Sequence, residues 1–237
     1  MTGKSHPPRA SARLWGAIQV WTILFLIFSA ANVMAYSYRL WLLNQLPSDA
    51  FMSELSFLSD YLPGAGAEMW MTGLAGLLYV PTYVIAAILV LMWFLRSIRN
   101  AHALSNGVET SPAWVIWWFI IPLVSFWKPY GMASELWRSS KAPDKWKGLP
   151  DPALLRWWWG FVLLGGFVFS ASNIFSRSAE TVEQVAAADS ALIAGHLLHM
   201  VAGLLFLRIG GPISKGQTEL ITAGRVAPPP EQPGRAA

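Results

Sequence analysis

The chain has 237 residues, of which 54% are hydrophobic and only 13% are charged, whereas soluble domains carry about 25% charged residues. This composition argues against an ordinary soluble domain and indicates a membrane protein. The net charge of +4 does not indicate nucleic-acid binding, because the basic residues lie beside apolar segments and follow no recognition motif. The absence of cysteine excludes disulfides, thiolate metal sites and cysteine nucleophiles.

The first long apolar run follows a short polar segment. Residues 1–13 are predicted to be a disordered cytoplasmic N-terminus. Residues 14–38 are almost wholly apolar and exceed the roughly 20 residues that a helix needs to cross the hydrocarbon layer. A cleaved signal peptide is the alternative, because Val33 and Ala35 suit a cleavage site just before Tyr36. The length of the apolar run favours a spanning helix.

The second predicted span is residues 72–95. The preceding loop, residues 39–71, is interrupted by prolines and glycines. Pro81 lies inside the span, where lipid-embedded helices tolerate proline when neighbours satisfy the freed carbonyl. We expect the helix to continue past the membrane until the pair Asn106-Gly107 ends it.

The stretch 111–140 is the least regular part of the chain. Its apolar portion, residues 113–127, contains Pro122, and Pro129 follows it. Apolar runs this short are as often re-entrant or interfacial as spanning. The sequence therefore leaves its path to be decided by the distribution of charge.

The second half of this stretch has the pattern of an amphipathic helix. Helical spacing puts the apolar and polar side chains on opposite faces. The apolar face consists of Tyr130, Met132, Ala133, Leu136 and Trp137, and the polar face of Ser134, Glu135, Arg138 and Lys141. Such a helix is typical of segments that lie in the plane of the membrane interface.

Two further apolar runs, residues 157–175 and 191–209, predict the third and fourth spans. A short acidic connection joins them. Residues 14–209 thus form the predicted membrane domain. Residues 210–237 contain three consecutive prolines and are predicted to be a flexible, Pro-rich cytoplasmic tail.

The charge distribution decides the path of residues 113–127. If this run does not cross, 15 of the 17 lysines and arginines lie on the inner side and only Arg39 and Arg177 lie outside. If it crosses, 6 lie inside and 11 outside. Because short cytoplasmic loops carry the excess of basic residues, we predict an all-α membrane protein. It has four transmembrane helices, a re-entrant or interfacial helical hairpin at 111–140, and both termini in the cytoplasm.

A set of motifs in and near the hairpin indicates a family. The motifs are Arg99-Asn100, Ser111-Pro112-Ala113-Trp114, Trp117-Trp118-Phe119 with Pro122, Pro129-Tyr130, and Glu135-Leu136-Trp137. The combination resembles the bacterial membrane family called domain of unknown function 4328, most strongly over residues 91–140, and hydropathy extends the resemblance to 14–209. Ser125 departs from it, because the family is expected to carry Asn there, and Ser retains only part of the amide hydrogen-bonding pattern.

The resemblance implies a multi-pass protein of the bacterial inner membrane and brings no activity, substrate or catalytic residue. Its motifs supply the candidate ligand or partner contacts, which are Arg99, Asn100, Pro122, Pro129, Glu135 and Trp137. Arg99 and Asn100 belong to a basic group at the inner end of the second span, where they could bind a lipid headgroup or meet Glu135. The alternative is a solvated positive flank.

Four polar side chains inside the predicted spans are further candidates: Asn32, Asn173, His196 and His199. An ionisable residue at this depth suggests a functional site, but hydrogen bonding between helices is the alternative that we favour. The His-x-x-His spacing alone is a weak metal signal, and no metal is predicted. Asn32, Asn173 and His196 share the outer part of the membrane and could form one buried polar cluster.

The sequence contains no nucleotide-binding, hydrolase or zinc-protease motif. The predicted spans contain no Asp or Glu, which argues against a carboxylate-based proton-coupled transporter. We expect a non-enzymatic regulatory or scaffolding membrane component without a cofactor. A small-solute or ion transport component and a metal-dependent membrane enzyme are the alternatives. The expected partners are the lipid bilayer and a membrane or cytoplasmic protein, and nucleic acid is not expected. The sequence is also compatible with a homo-oligomer.

Overall fold

The structure is a computed structural model that describes residues 7–52 and 62–226, and this part of the chain forms helices and no β-strand. In chain order the helices are α1 (Ala12–Leu43), α2 (Ala65–Leu104), α3 (Trp117–Ile120), α4 (Lys128–Lys141), α5 (Ala153–Arg177) and α6 (Val182–Thr222). Short 3-10 turns occupy Pro112–Trp114, Val124–Phe126 and Trp146–Gly148. Four of the helices, α1, α2, α5 and α6, are long and apolar enough to cross a membrane. The expectation of an all-helical protein with four candidate spans is therefore confirmed.

The long helices extend beyond the apolar runs that predicted them. Helix α2 begins directly after Gly64, whose φ is +96°, and not at residue 72. It ends at Leu104, before Gly107 with a φ of +70°, where the Asn106-Gly107 pair was expected to stop it. Glycine adopts positive φ without a steric penalty, so both breaks follow from local sequence. Hydropathy marks the lipid-facing portion of a helix and not its ends.

Helix α6 corrects the predicted start of the tail. It continues through Pro212 to Thr222, whereas the flexible segment was expected from residue 210 onward. Gly224 follows with a φ of +70°, as glycines after helix ends commonly do. Residues 227–237 of the predicted tail and residues 1–6 of the predicted disordered N-terminus, 1–13, lie outside the described residues.

The chain divides into two compact units. The first, here called the hairpin unit, comprises Met1–Gln19, Ala87–Arg156 and Phe206–Ala237. The second, here called the span unit, comprises Val20–Ala86 and Trp157–Leu205. The helices α1, α2 and α6 contribute segments to both units.

An aromatic core stabilises the hairpin unit. The fully buried Trp93 ring lies 5.6 Å from the ring of Trp15 and 5.5 Å from that of Phe206. Its indole N–H donates to the hydroxyl of Ser214 at 2.8 Å, which satisfies the one polar atom that burial would otherwise leave unpaired. Gly210 packs against the Trp15 ring so closely that a Cβ atom would collide with it. The core thus ties α1, α2 and α6 together within this unit.

Candidate functional site

A buried carboxylate holds the loop after α2 against α4. Glu135 is 5% exposed. Its Oε1 accepts a hydrogen bond from the backbone N–H of Glu109 at 2.5 Å, and its Oε2 accepts one from Thr110 at 3.0 Å. Bonds to an ionised acceptor are stronger than neutral ones. The Nε2 atom of His102 lies 2.8 Å from the carbonyl oxygen of Thr110. The loop is therefore fixed from both α2 and α4.

A second carboxylate fixes the segment after α4. The Asp151 side chain accepts hydrogen bonds from the hydroxyls of Tyr130, at 3.0 Å, and Ser134. It also lies 3.4 Å from Nε of Arg138. Burial, followed by the hydrogen bond to Asp151, raises the pKa of the Tyr130 hydroxyl. The chain that leads into α5 is thus held along one side of α4.

A cavity of about 450 Å³ opens between these elements. Its lining includes three basic side chains, Lys128, Arg138 and Lys147, and two indole rings, Trp118 and Trp146. The Lys128 ammonium lies 5.0 Å from the centre of the Trp118 ring, and the Arg138 guanidinium lies 5.4 Å from that of Trp146. Both distances are within the range of cation–π attraction. The cavity combines positive charge with flat apolar walls, which suits an anionic group on an apolar stem.

Three carboxylates line this cavity or lie beside it, and each has a partner other than Lys128. The Glu109 carboxylate pairs with Lys147 at 3.2 Å on the exposed side. The Glu135 carboxylate accepts hydrogen bonds from the backbone amides of Glu109 and Thr110. Asp151 is the partner of Arg138. Among the described residues no ion pair joins Lys128 to a carboxylate, so this ammonium is the cation in the cavity most open to a ligand.

A large apolar surface precedes α4. Seven large hydrophobic side chains of the segment 112–127 are exposed, and we call them the apolar face: Trp114, Ile116, Trp117, Ile120, Leu123, Phe126 and Trp127. In the same segment Val115 is fully buried, and the hydroxyl of Ser125 donates to the carbonyl oxygen of Pro122 at 2.6 Å. Monomeric soluble proteins rarely expose an apolar patch of this kind, which marks an interaction with a membrane or a protein.

Helix α4 itself does not present the arrangement that its periodicity predicted. Ser134 and Glu135, which were placed on the polar, outward face, are buried, as are Pro129, Met132, Ala133 and Leu136. The reason is that Glu135 and Ser134 have hydrogen-bond partners within the unit, so their burial carries little penalty. Trp137 is half-buried, and the ammonium of Lys141 lies 5.3 Å from its ring centre. The surface suited to the membrane interface is the apolar face and not α4.

Asn100 and Arg99, adjacent in sequence, have different surroundings. Asn100 is 2% exposed. Its Oδ1 accepts from the backbone N–H of Arg9 and its Nδ2 donates to the Arg9 carbonyl, both at 3.0 Å. Gln217 accepts a further hydrogen bond from Asn100 at 3.3 Å. Arg99 is exposed. The possible contact with Glu135 is not among the ion pairs of the described residues; that carboxylate bonds the loop amides instead.

The polar side chains of the span unit do not form the cluster of three that was considered. Asn32 Nδ2 donates to the carbonyl oxygens of Phe28 at 2.8 Å and Ala75 at 3.1 Å, so it joins α1 to α2. Asn173 is exposed, and its Nδ2 bonds the Phe169 carbonyl of its own helix. It therefore does not share a buried site with His196.

The two histidines of the candidate span α6, His196 and His199, pack against aromatic rings and a glycine. His196 is 2% exposed, with its ring centre 4.8 Å from that of Tyr79 and 5.5 Å from that of Phe169. His199 faces Gly165, where a Cβ atom would stand 2.7 Å from the imidazole. A small residue at this position thus lets the α5 backbone approach the ring closely, as is usual for packed membrane helices.

A buried charge cluster in the span unit was missed. Arg39 Nε lies 3.4 Å from Oδ2 of Asp189 and 3.9 Å from Oε1 of Glu68, and both carboxylates are buried. Glu68 and Asp189 belong to α2 and α6, which are candidate spans. Both residues lie just outside the predicted spans 72–95 and 191–209, which contain no Asp or Glu, but inside the longer helices α2 and α6. Hydropathy windows placed these residues in loops because they lie where the apolar runs stop.

Comparison with known proteins identifies a family. The model of the family described as Domain of unknown function (DUF4328) matches residues 64–209, which is more than half of the chain. This confirms the resemblance drawn from the hairpin motifs, although the match does not extend back to residue 14. No curated protein and no solved structure matches the chain.

Proposed function

The chain belongs to the family Domain of unknown function (DUF4328), and on that premise we propose a non-enzymatic scaffolding role in the bacterial inner membrane. In this proposal both termini and the hairpin 111–140 lie on the cytoplasmic side. The observation that carries it is the preformed basic, Trp-lined cavity beside the apolar face. The apolar face enters the lipid interface, and the cavity receives an acidic side chain of a partner protein.

The interfacial position of the hairpin is supported by its composition. Three of the seven members of the apolar face are tryptophans, which settle at the boundary between headgroups and hydrocarbon. Lys128 follows the face directly, and long basic side chains reach from that boundary toward the water. The segment is also too short to span as a helix, because its turns are interrupted at Ile121 and Trp127. Each of these features suits a segment that dips into one side of the membrane.

The scaffolding role is supported by the way the cavity is held. Glu135 and Asp151 fix its two walls through hydrogen bonds that need no ligand. A site that is already ordered loses little conformational entropy on binding. Trp and Arg are also the residue types that contribute most at protein interfaces. An acidic side chain can pair with Lys128 while its aliphatic stem lies against Trp118.

Affinity purification from native membranes tests this proposal. The tagged chain is compared with Lys128→Glu/Lys147→Glu and with the control Lys141→Glu/Lys145→Glu, which makes the same charge change at residues that do not line the cavity. We expect one protein to be recovered with the parent chain and the control and to be lost with the cavity variant. Recovery of lipid alone, or equal loss with both variants, contradicts the scaffolding role.

A small-solute or ion transport component is the second candidate. It is supported by the cluster of Arg39, Glu68 and Asp189, because buried ionisable groups within spanning helices commonly lie on ion pathways. Reconstituted vesicles loaded with a pH-sensitive dye test it. This candidate predicts a proton or cation flux that Asp189→Asn abolishes. The absence of flux with the parent chain would contradict a transport function.

A further inference from the structure

A second cavity in the hairpin unit collects positive charge. It has a volume of about 270 Å³ and is lined by Pro7, Arg9, Arg96, Arg99 and Asn100. Three of these five residues are arginines, and none is acidic. Among the described residues, no ion pair joins any of the three to a carboxylate, whereas Arg138 and Arg225 each pair with one carboxylate and Arg39 pairs with two. Uncompensated cations gathered at one cavity attract an anion.

The buried hydrogen bonds of Asn100 bring Arg9 to the two arginines of α2. Because Asn100 bonds both the N–H and the carbonyl of Arg9, the N-terminal arm is held against α2. Gln217 of α6 in turn bonds Asn100 and, through its Nε2, the carbonyl of Ser97 at 2.9 Å. Arg96 and Arg99 are three residues apart on α2 and so share a face. The arm and the helix thus bring the cations together without a ligand.

The chemistry of the lining indicates the ligand. A guanidinium presents five N–H donors in a planar fork that matches two oxygens of a phosphate group. The volume of about 270 Å³ is ample for a phosphate group. The cavity also lies where α2 passes from its apolar portion to Arg96, and basic residues beside a spanning helix commonly bind anionic headgroups. We propose that Arg9, Arg96 and Arg99 bind the phosphate group of an anionic ligand, either a phospholipid headgroup or a soluble phosphate. This site is separate from the scaffolding cavity and does not depend on it.

Two probes distinguish the sources of the phosphate. Purified, delipidated full-length chain is titrated with phosphatidylglycerol and, separately, with inorganic phosphate, and binding is followed by native mass spectrometry and by the midpoint of thermal unfolding. Phosphatidylcholine serves as the zwitterionic comparison. Binding of phosphatidylglycerol alone assigns the site to a lipid, and binding of inorganic phosphate assigns it to a soluble ligand.

Matched variants test the residues. Arg96→Gln/Arg99→Gln removes two cations from the cavity, and Arg208→Gln/Lys215→Gln removes two exposed cations of α6 that do not line it. Arg9→Gln is a third variant, in which the hydrogen bonds to Asn100 persist because they use the backbone of residue 9. We expect affinity to fall about tenfold for each cavity arginine removed and to stay within about twofold in the control. If the parent chain binds neither probe, or if the cavity variant and the control lose affinity equally, the proposal is wrong.

Discussion

The carboxylate of Glu135 accepts a hydrogen bond from the backbone N–H of Thr110 at 3.0 Å, which makes a side chain of α4 the anchor of a loop 25 residues earlier. The same carboxylate bonds the N–H of Glu109. In the family motif Glu135-Leu136-Trp137, Glu135 therefore has a structural role. The cavity depends on this anchor for one of its walls.

Replacing Glu135 with Ala is expected to destabilise the hairpin unit. The substitution leaves two backbone N–H groups without their acceptor, and each unpaired buried amide costs about 1–3 kcal/mol. The midpoint of thermal unfolding in detergent and the rate of amide exchange at residues 109 and 110 measure the effect. Glu109→Gln is the control, because it removes only the exposed ion pair with Lys147, which contributes about 0–1 kcal/mol. Equal effects of the two substitutions refute the anchoring role.

Gly216 is expected to tolerate no larger residue. A Cβ atom there would stand 2.8 Å from the carbonyl oxygen of Ser140, and a backbone atom cannot rotate away as a side chain can. Gly216→Ala should therefore destabilise the chain by about 1–3 kcal/mol through overpacking. Gly203→Ala is the control on the same helix, since its Cβ atom would lie 3.6 Å from the nearest side chain, that of Leu26, an ordinary contact. We expect the control to leave the midpoint of thermal unfolding unchanged or to raise it, because Ala favours helix over Gly. If the control lowers the midpoint more than Gly216→Ala does, α4 and α6 are not in close contact.

The charge cluster of the span unit predicts that replacing its cation destabilises the chain more than replacing one of its carboxylates. Arg39→Gln leaves two buried carboxylates without a cation, whereas Asp189→Asn leaves one guanidinium with one carboxylate, that of Glu68. Removing one member of a buried ion pair costs about 3–5 kcal/mol when a charge is left uncompensated. Arg39→Gln should thus lower the unfolding midpoint clearly more than Asp189→Asn. If Asp189→Asn is the more damaging change, Glu68 does not share the guanidinium.

The apolar face is expected to contact lipid. The parent chain contains no cysteine, so a single spin label can be placed at Leu123, which is 72% exposed, and another at Lys141 as the control. The label at residue 123 should be more accessible to oxygen, which concentrates in hydrocarbon, and the label at residue 141 to a water-soluble nickel chelate. Similar accessibility of the two labels to both reagents would mean that the apolar face does not contact lipid.

Hydropathy and charge were sufficient to predict the helical class, the four candidate spans and the irregular character of the segment around Pro122. They could not predict where the helices end, because polar residues such as Glu68 and Asp189 continue a helix once tertiary partners satisfy them. Periodicity assigned Ser134 and Glu135 to the solvent-facing side of α4, whereas both are buried, together with Met132, Ala133 and Leu136 of the predicted apolar face. The burial of Glu135 depends on the amides of residues 109 and 110, which no single-residue pattern reveals.

The candidate site was predictable only in part. The motif residues Asn100 and Glu135 proved to be hydrogen-bonding anchors, while the cations that line the two cavities include Arg9 and Lys128, which the sequence did not single out. Their grouping arises from contacts between distant segments, such as the one between the N-terminal arm and α2. Spacing within one helix carries no information about such contacts.

The side of the membrane on which the hairpin lies is the central claim, and labelling of single cysteines in intact cells tests it most directly. Cysteine replaces Lys145, after α4, or Ser178, between α5 and α6, and cells are treated with a membrane-impermeant maleimide. The account predicts that residue 178 is labelled from outside and that residue 145 is labelled only after permeabilisation. Labelling of residue 145 in intact cells would mean that the segment crosses the membrane, and the cytoplasmic hairpin would be wrong.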